Sequence, residues 1–202
     1  MHSVSHSVMF HHFHNDNHPK GQGSLDAETF LKVLFWLRKN YNLLSSEEYL
    51  DKALSGDLSN NDICLSFDDA LLCQYDIALP VLNDLDIKAF FFIYSSPMRG
   101  VPDFLEIYRY FRNVYFKSID DFYEGFFELC DSKFIQNYGN KFDNFSKLDY
   151  LKEFPFYSFN DKWFRYLRDK LLSQKSYDEL MRKLMEIMDF ETSSVIDSLW
   201  LN

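Results

Sequence analysis

Apolar positions along the chain follow two different rhythms. Between Val8 and Tyr94 short apolar runs alternate with helically spaced stretches. Val8-Met9-Phe10 is a β-type run, and Phe30, Leu31, Leu34, Phe35 and Leu37 recur at helical spacing up to about Asn40. Ser24 is the expected N-cap of that helix, with Asp26 and Glu28 acidic in its first turn to suit the dipole. A second helix is expected from Ser45 or Ser46, with Glu47 and Glu48 in its first turn and Gly56 as its stop. Ile63 to Phe67 is an apolar run of strand length, entered through the turn-like Ser59 to Asp62. Ala70 to Leu85 reads as a helix that Pro80 must kink or restart. Ile87 to Tyr94 reads as a strand buried on both faces, because its apolar residues do not alternate with polar ones.

Strand, helix, strand, helix, strand is the order of a parallel sheet covered by helices, so this half is α/β. From Asp103 the rhythm changes to aromatic residues on charged helices: Phe104, Tyr108 and Phe111, then Phe122, Phe126 and Phe127, then Trp163, Tyr166 and Leu167. Leu180, Leu184 and Ile187 form one stripe of a further amphipathic helix. The expected organisation is an α/β part over residues 1–101 and a helical insertion or cap over residues 102–202, within one domain. The chain has 202 residues, enough for one substantial core. Aromatic content of 19% is high, and bulky core packing is its commonest cause.

A formal net charge of −10 argues against nucleic acid and anionic membrane surfaces, which need concentrated Lys and Arg. Cys64, Cys73 and Cys130 have no paired spacing, which suits reduced thiols in an intracellular protein. Met1 to Phe13 lacks the basic and apolar blocks of a signal peptide, and Ala89 to Tyr94 is too short to span a bilayer. A cytoplasmic location without a membrane span is the expectation.

Asp68 and Asp69 stand at the C-terminal end of a buried strand, where parallel sheets place ligands and reacting groups. Side chains of adjacent strand residues point to opposite sides, so the two carboxylates are expected to divide their work. One suits a divalent metal and the other suits taking a proton from water. Capping the helix that follows is the structural alternative, since Asp caps readily.

Ser66-Phe67-Asp68-Asp69-Ala70 resembles the T-F-D-D-G motif of the polysaccharide deacetylases, the NodB-homology carbohydrate esterases. Ala78-Leu79-Pro80-Val81-Leu82 and Ile87 to Phe92 are similar to the next helix and strand of that family. The likeness covers Ile63 to Tyr94, with a looser match over Val8 to Phe13. It implies a partial (β/α) barrel of the deacetylase type with a largely helical C-terminal half. It also implies Asp68 as the general base and Asp69 as a ligand of a divalent metal, most readily zinc.

All six histidines, His2, His6, His11, His12, His14 and His18, fall in the first 18 residues. His11, His12 and His14 are candidate substrate-binding residues beside the strand end, and His11, His14 and His18 are candidate metal ligands. His14 to Pro19 has the spacing of the family's H-[ST]-x-x-H-P motif but precedes the aspartates and lacks its Ser or Thr. His2 and His6 are expected in a loose terminus. Beyond His18 the chain holds no histidine, so the resemblance implies an N-terminal portion of a longer enzyme, inactive by itself. The expected function is a metal-dependent hydrolase removing N-acetyl groups from a saccharide in cell-surface polysaccharide assembly. The alternative is a non-catalytic carbohydrate-binding or interaction module on a degenerate deacetylase fold.

Overall fold

The computed structural model describes residues 6–130 and 135–201. The chain divides into two compact units, Met1–Ile107 with Ser193–Asn202, and Tyr108–Thr192.

The first unit is built on a parallel sheet of β1 (His6–Phe10), β2 (Asn42–Leu43), β3 (Asp62–Phe67) and β4 (Phe90–Phe91). β3 is central. It pairs along its length with β1 (Val8 opposite Leu65, Phe10 opposite Phe67), with β2 near its start and with β4 at its end. Every β3 residue is buried. The strands form an open sheet, with no closed barrel among the described residues.

Two helices connect β1 to β3 through β2. Helix α1 (Ala27–Asn40) buries Phe30, Leu34 and Leu37. Its N-cap is Asp26, whose carboxylate accepts from the Thr29 amide, and not Ser24 as expected from sequence. The Ser24 hydroxyl is engaged instead by the Gly21 backbone and His14 Nδ1. Helix α2 (Ser46–Ser55) has the Ser45/Glu48 capping box and ends on Gly56 at φ 79°. Asp62 anchors this layer to β3. It accepts from the Ser59 amide, Asn42 Nδ2 and Lys52 Nζ, and these bonds hold its carboxyl well below the usual carboxylate range.

The core of this unit is aromatic. Phe30 meets Phe10 and Phe13 edge-on at 5.0 Å each, and Phe67 stacks on Phe91 at 4.7 Å. His6, expected in a loose terminus, is the first residue of β1 and packs edge-on against Tyr41. His2 lies outside the described residues.

Beyond β3 the helix expected from Ala70 is present after a short turn: the chain is helical over 72–84, with a π-helical turn over Gln74–Ala78 that runs directly into α3 (Leu79–Asp84). Pro80 lies in the first turn of α3 directly after the wider π turn, so the helix changes type where a kink or restart was expected. The strand expected over Ile87 to Tyr94 needs correction. Phe90 and Phe91 pair, but Phe91 to Tyr94 are exposed, by 57% at Phe92 and 58% at Ile93. β3 is the neighbour of β4 on one side, and no described strand covers its other edge. The last residues return to this unit: α9 (Ile196–Leu199) leads to buried Trp200, which bridges to Leu71, and the Leu201 amide donates to Ala70 O.

The second unit is helical. It comprises most of α4 (Phe104–Val114), then α5 (Ile119–Leu129), α6 (Tyr138–Phe145), α7 (Phe159–Tyr166) and α8 (Gln174–Ile187). Ser118 and Ser158 form capping boxes with Asp121 and Asp161, so Asp120-Asp121 starts a helix, as such a pair commonly does. Phe164 of α7 meets Phe122 and Phe126 of α5 at 5.4 and 4.9 Å, and Phe145 meets Trp163 at 4.8 Å. Cys64, Cys73 and Cys130 are buried thiols. Among the described residues no helix is long and apolar enough to cross a membrane.

Candidate functional site

The register of the sheet creates the site. Phe10 and Phe67 are the last paired residues of β1 and β3, so the residues after them, His11 and Asp68, leave the same end of the sheet side by side. The Asp68 amide still donates to Phe10 O, at 3.4 Å. His11 Nε2 lies 3.8 Å from Oδ2 of Asp68 and 3.8 Å from Oδ2 of Asp69.

Strand alternation would have separated the two carboxylates, and the backbone shows why it does not. Asp69 and Ala70 both have positive φ, 75° and 52°, so the chain leaves strand geometry at Asp69 and turns both carboxylates toward one imidazole. Neither aspartate caps the helix that follows, which begins at residue 72: their carboxylates face His11. Positive φ at Ala is strained, and glycine adopts it freely. Ala70→Gly is therefore expected to stabilise the protein by about 1 kcal/mol in a urea titration, part of the relief being offset by the greater freedom of glycine when unfolded.

Gln74 is a residue that sequence reasoning did not single out. It is buried, and its Nε2 donates both to His11 O at 2.8 Å and to Asp68 O at 2.6 Å, tying the two strand ends together. Its signal in the sequence is slight: a polar residue on the apolar side of a segment that otherwise buries Ile77 and Ala78.

An open cavity of about 370 Å³ lies against the carboxylates, lined by Met9, Ser66, Asp68, Asp69, Phe92, Ile93 and Tyr94. Acidic and apolar surface therefore meet there. The other candidate histidines have partners elsewhere. His12 Nε2 is 2.8 Å from Glu106 Oε2, His14 Nδ1 contacts the Ser24 hydroxyl, and buried His18 is 2.7 Å from Asp76 Oδ2. His14 and His18 share a turn organised by the Asn15 side chain, yet their rings face different partners, so the H-x-x-x-H spacing does not gather them. Among the described residues no group of three His, Cys, Asp or Glu side chains is placed to hold a metal ion.

Burial pushes the Asp69 carboxyl upward, with Glu106, Asp68 and Asp103 adding to it and His11 opposing. A carboxyl raised on folding favours the folded state below its unfolded pKa, and that advantage is lost as pH rises through the folded value. Asp69→Asn is accordingly expected to raise the melting temperature at neutral pH in metal-free buffer and to leave it nearly unchanged in acid. An unchanged neutral-pH melting temperature would contradict this account of the site's charge.

No family model and no curated protein matches the chain. Solved structures similar to it include IcaB from Ammonifex degensii, with 24% identity over 45% of this chain and 38% of that one, at a TM-score of 0.39. A de-N-acetylase from Aggregatibacter actinomycetemcomitans is similar at 22% identity over 47% and 39% of the two chains, TM-score 0.40. The Streptococcus pyogenes deacetylase PplD in complex with acetate is similar at 18% identity over 53% and 51%, TM-score 0.37. The chain thus covers between 38% and 51% of the length of these structures.

Proposed function

We propose that the protein is a hydrolase that removes an N-acetyl group from a saccharide, with Asp68 as general base. The observation that carries this reading is the convergence of Asp68, Asp69 and His11 beside an open cavity with an aromatic and apolar wall. In the reaction Asp68 takes a proton from a water molecule whose oxygen adds to the acetamide carbonyl. The tetrahedral intermediate then loses the amine, which takes up a proton as the C–N bond breaks, leaving acetate and a free amino sugar. Asp69 and His11 hold the site's charge and orientation. Phe92 and Tyr94 offer ring faces on which a sugar can rest.

A divalent cation, zinc by the resemblance, belongs to this reading as a separate proposal at Asp69. The described donors do not form a ready-made set, since a catalytic zinc takes three protein ligands and no such group is present among them. The 202-residue chain is expected to hold well under one equivalent of zinc after dialysis, measured by atomic emission. One tightly held equivalent would return the N-terminal histidines to the ligand set.

Activity is proposed for the full-length protein as its gene encodes it, in cell-surface polysaccharide assembly and within the cytoplasm. That no three-donor metal group is found among the described residues favours a second reading, a saccharide-binding module without turnover. Incubation of the full-length protein with an N-acetylglucosamine oligomer separates the two. Release of acetate supports the hydrolase, and saturable binding with no acetate overturns it.

A further inference from the structure

A second cavity, of about 200 Å³, adjoins the one at the carboxylates and differs from it in chemistry. Phe92 and Ile93 line both. Ala70, in the turn that carries Asp68 and Asp69, lines the second cavity, and so does Gln74, which braces that turn. Tyr75, Leu79 and Leu201 extend its wall, and Leu201 is fixed there by the bond from its amide to Ala70 O. The first cavity has two carboxylates in its wall, whereas the described lining of the second carries no charged side chain.

That lining decides what the cavity can hold. Its polar side chains are Gln74 and Tyr75, and the Gln74 amide nitrogen is already committed to His11 O and Asp68 O. A sugar ring buried here would leave most of its hydroxyls without partners, which costs more than the contact returns. An alkyl chain needs no partners and gains about fourfold in affinity for each methylene removed from water. Tyr75, Phe92 and Ile93 are all more than half exposed, so apolar surface faces water around this cavity. A net charge of −10 opposes self-association, which argues against a second copy of the chain as its cover.

We propose, resting on the deacetylase reading for the position of the sugar, that this cavity takes the apolar aglycone of the substrate. The substrate class is then an N-acetylated sugar that carries an alkyl or acyl chain. Because Phe92 and Ile93 bound both spaces, a ligand lying across them keeps its acetamide beside Asp68 while its chain leaves water.

The test compares methyl, butyl, hexyl and octyl N-acetyl-β-glucosaminides, each below its micelle concentration, on the full-length protein with its methyl groups labelled by ¹³C. Affinity is expected to climb by up to about fourfold per methylene and to level off once the cavity is filled. The Leu79 methyl resonances, identified by their loss in Leu79→Gln, are expected to move with the octyl glycoside and to stay still with the methyl one. Leu79→Gln and Tyr75→Ser are each expected to weaken octyl binding about tenfold and to leave methyl binding unchanged. Tyr75 is 54% exposed, so its replacement leaves the fold intact. Affinity independent of chain length, or Leu79 resonances that stay still in the octyl titration, overturns the proposal, and both are read on the wild-type protein. So does a dimer in sedimentation that Tyr75→Ser disperses, which would give this surface to a second copy. Acetate release is measured separately. Chain-length-dependent binding without acetate removes the hydrolase reading and keeps the cavity assignment, and acetate released equally well from the methyl and octyl glycosides does the reverse.

Discussion

Asp68→Asn is expected to lower deacetylation of an N-acetylglucosamine oligomer by the full-length protein by about 10²- to 10⁴-fold, the range that a positioned general base contributes. The substitution is nearly isosteric and leaves the backbone roles of the residue untouched. The Asp68 amide still reaches Phe10 O, and Asp68 O still accepts from Gln74. What is lost is the capacity to accept a proton from water. The effect should fall on kcat, with KM little changed, because an amide of the same shape keeps the cavity wall intact. Full activity in this variant would remove Asp68 from the chemistry and, with it, the proposed mechanism. Unaltered melting temperature is the control that separates lost chemistry from lost structure.

Phe67→Ala is expected to destabilise the protein by about 3–5 kcal/mol, the range for removing a large aromatic side chain from a packed core. Phe67 is fully buried and touches four rings, stacking on Phe10, Phe13 and Phe91 and meeting Phe30 edge-on. Truncation leaves a void that four stiff rings cannot fill by small movements. It is also the residue immediately before Asp68, so the void lies directly beneath the turn that carries the carboxylates. Urea unfolding provides the measurement, with Phe35→Ala as the comparison. Phe35 is 53% exposed on the outer side of α1, and its loss should change stability by no more than about 0.5 kcal/mol. Equal costs for the two substitutions would show that the rings around Phe67 are not a rigid core.

Much of the α/β unit is legible from local signals. The helix over Ala27–Asn40, the Ser45 and Gly56 boundaries of α2 and the buried strand Asp62–Phe67 follow from periodicity and caps. Ile87 to Tyr94 shows the limit of that reading. An unbroken apolar run looks like a strand buried on both faces, but burial depends on what lies beyond the strand, and that is not written in the run itself. The same limit applies to the histidines. Their clustering is visible in the sequence, yet which of them reaches the aspartates depends on the pairing of Phe10 with Phe67, a contact between residues far apart in the chain.

The sequence by itself determined the local vocabulary of this protein: a central apolar strand, two adjacent carboxylates at its end, and an aromatic helical half. These follow from side-chain periodicity and from the chemistry of residue types, which act over a few positions. The tertiary structure decided the rest. It placed His11 and not His12, His14 or His18 against both carboxylates, brought Gln74 beneath them, and returned Leu201 to the carbonyl of Ala70. It also turned Asp69 and Ala70 into left-handed geometry that strand alternation does not foresee. The physical reason is common to all four. Each depends on which distant backbone satisfies a hydrogen bond or shares a register, and such pairings are fixed by the packing of the whole unit, not by neighbours in sequence.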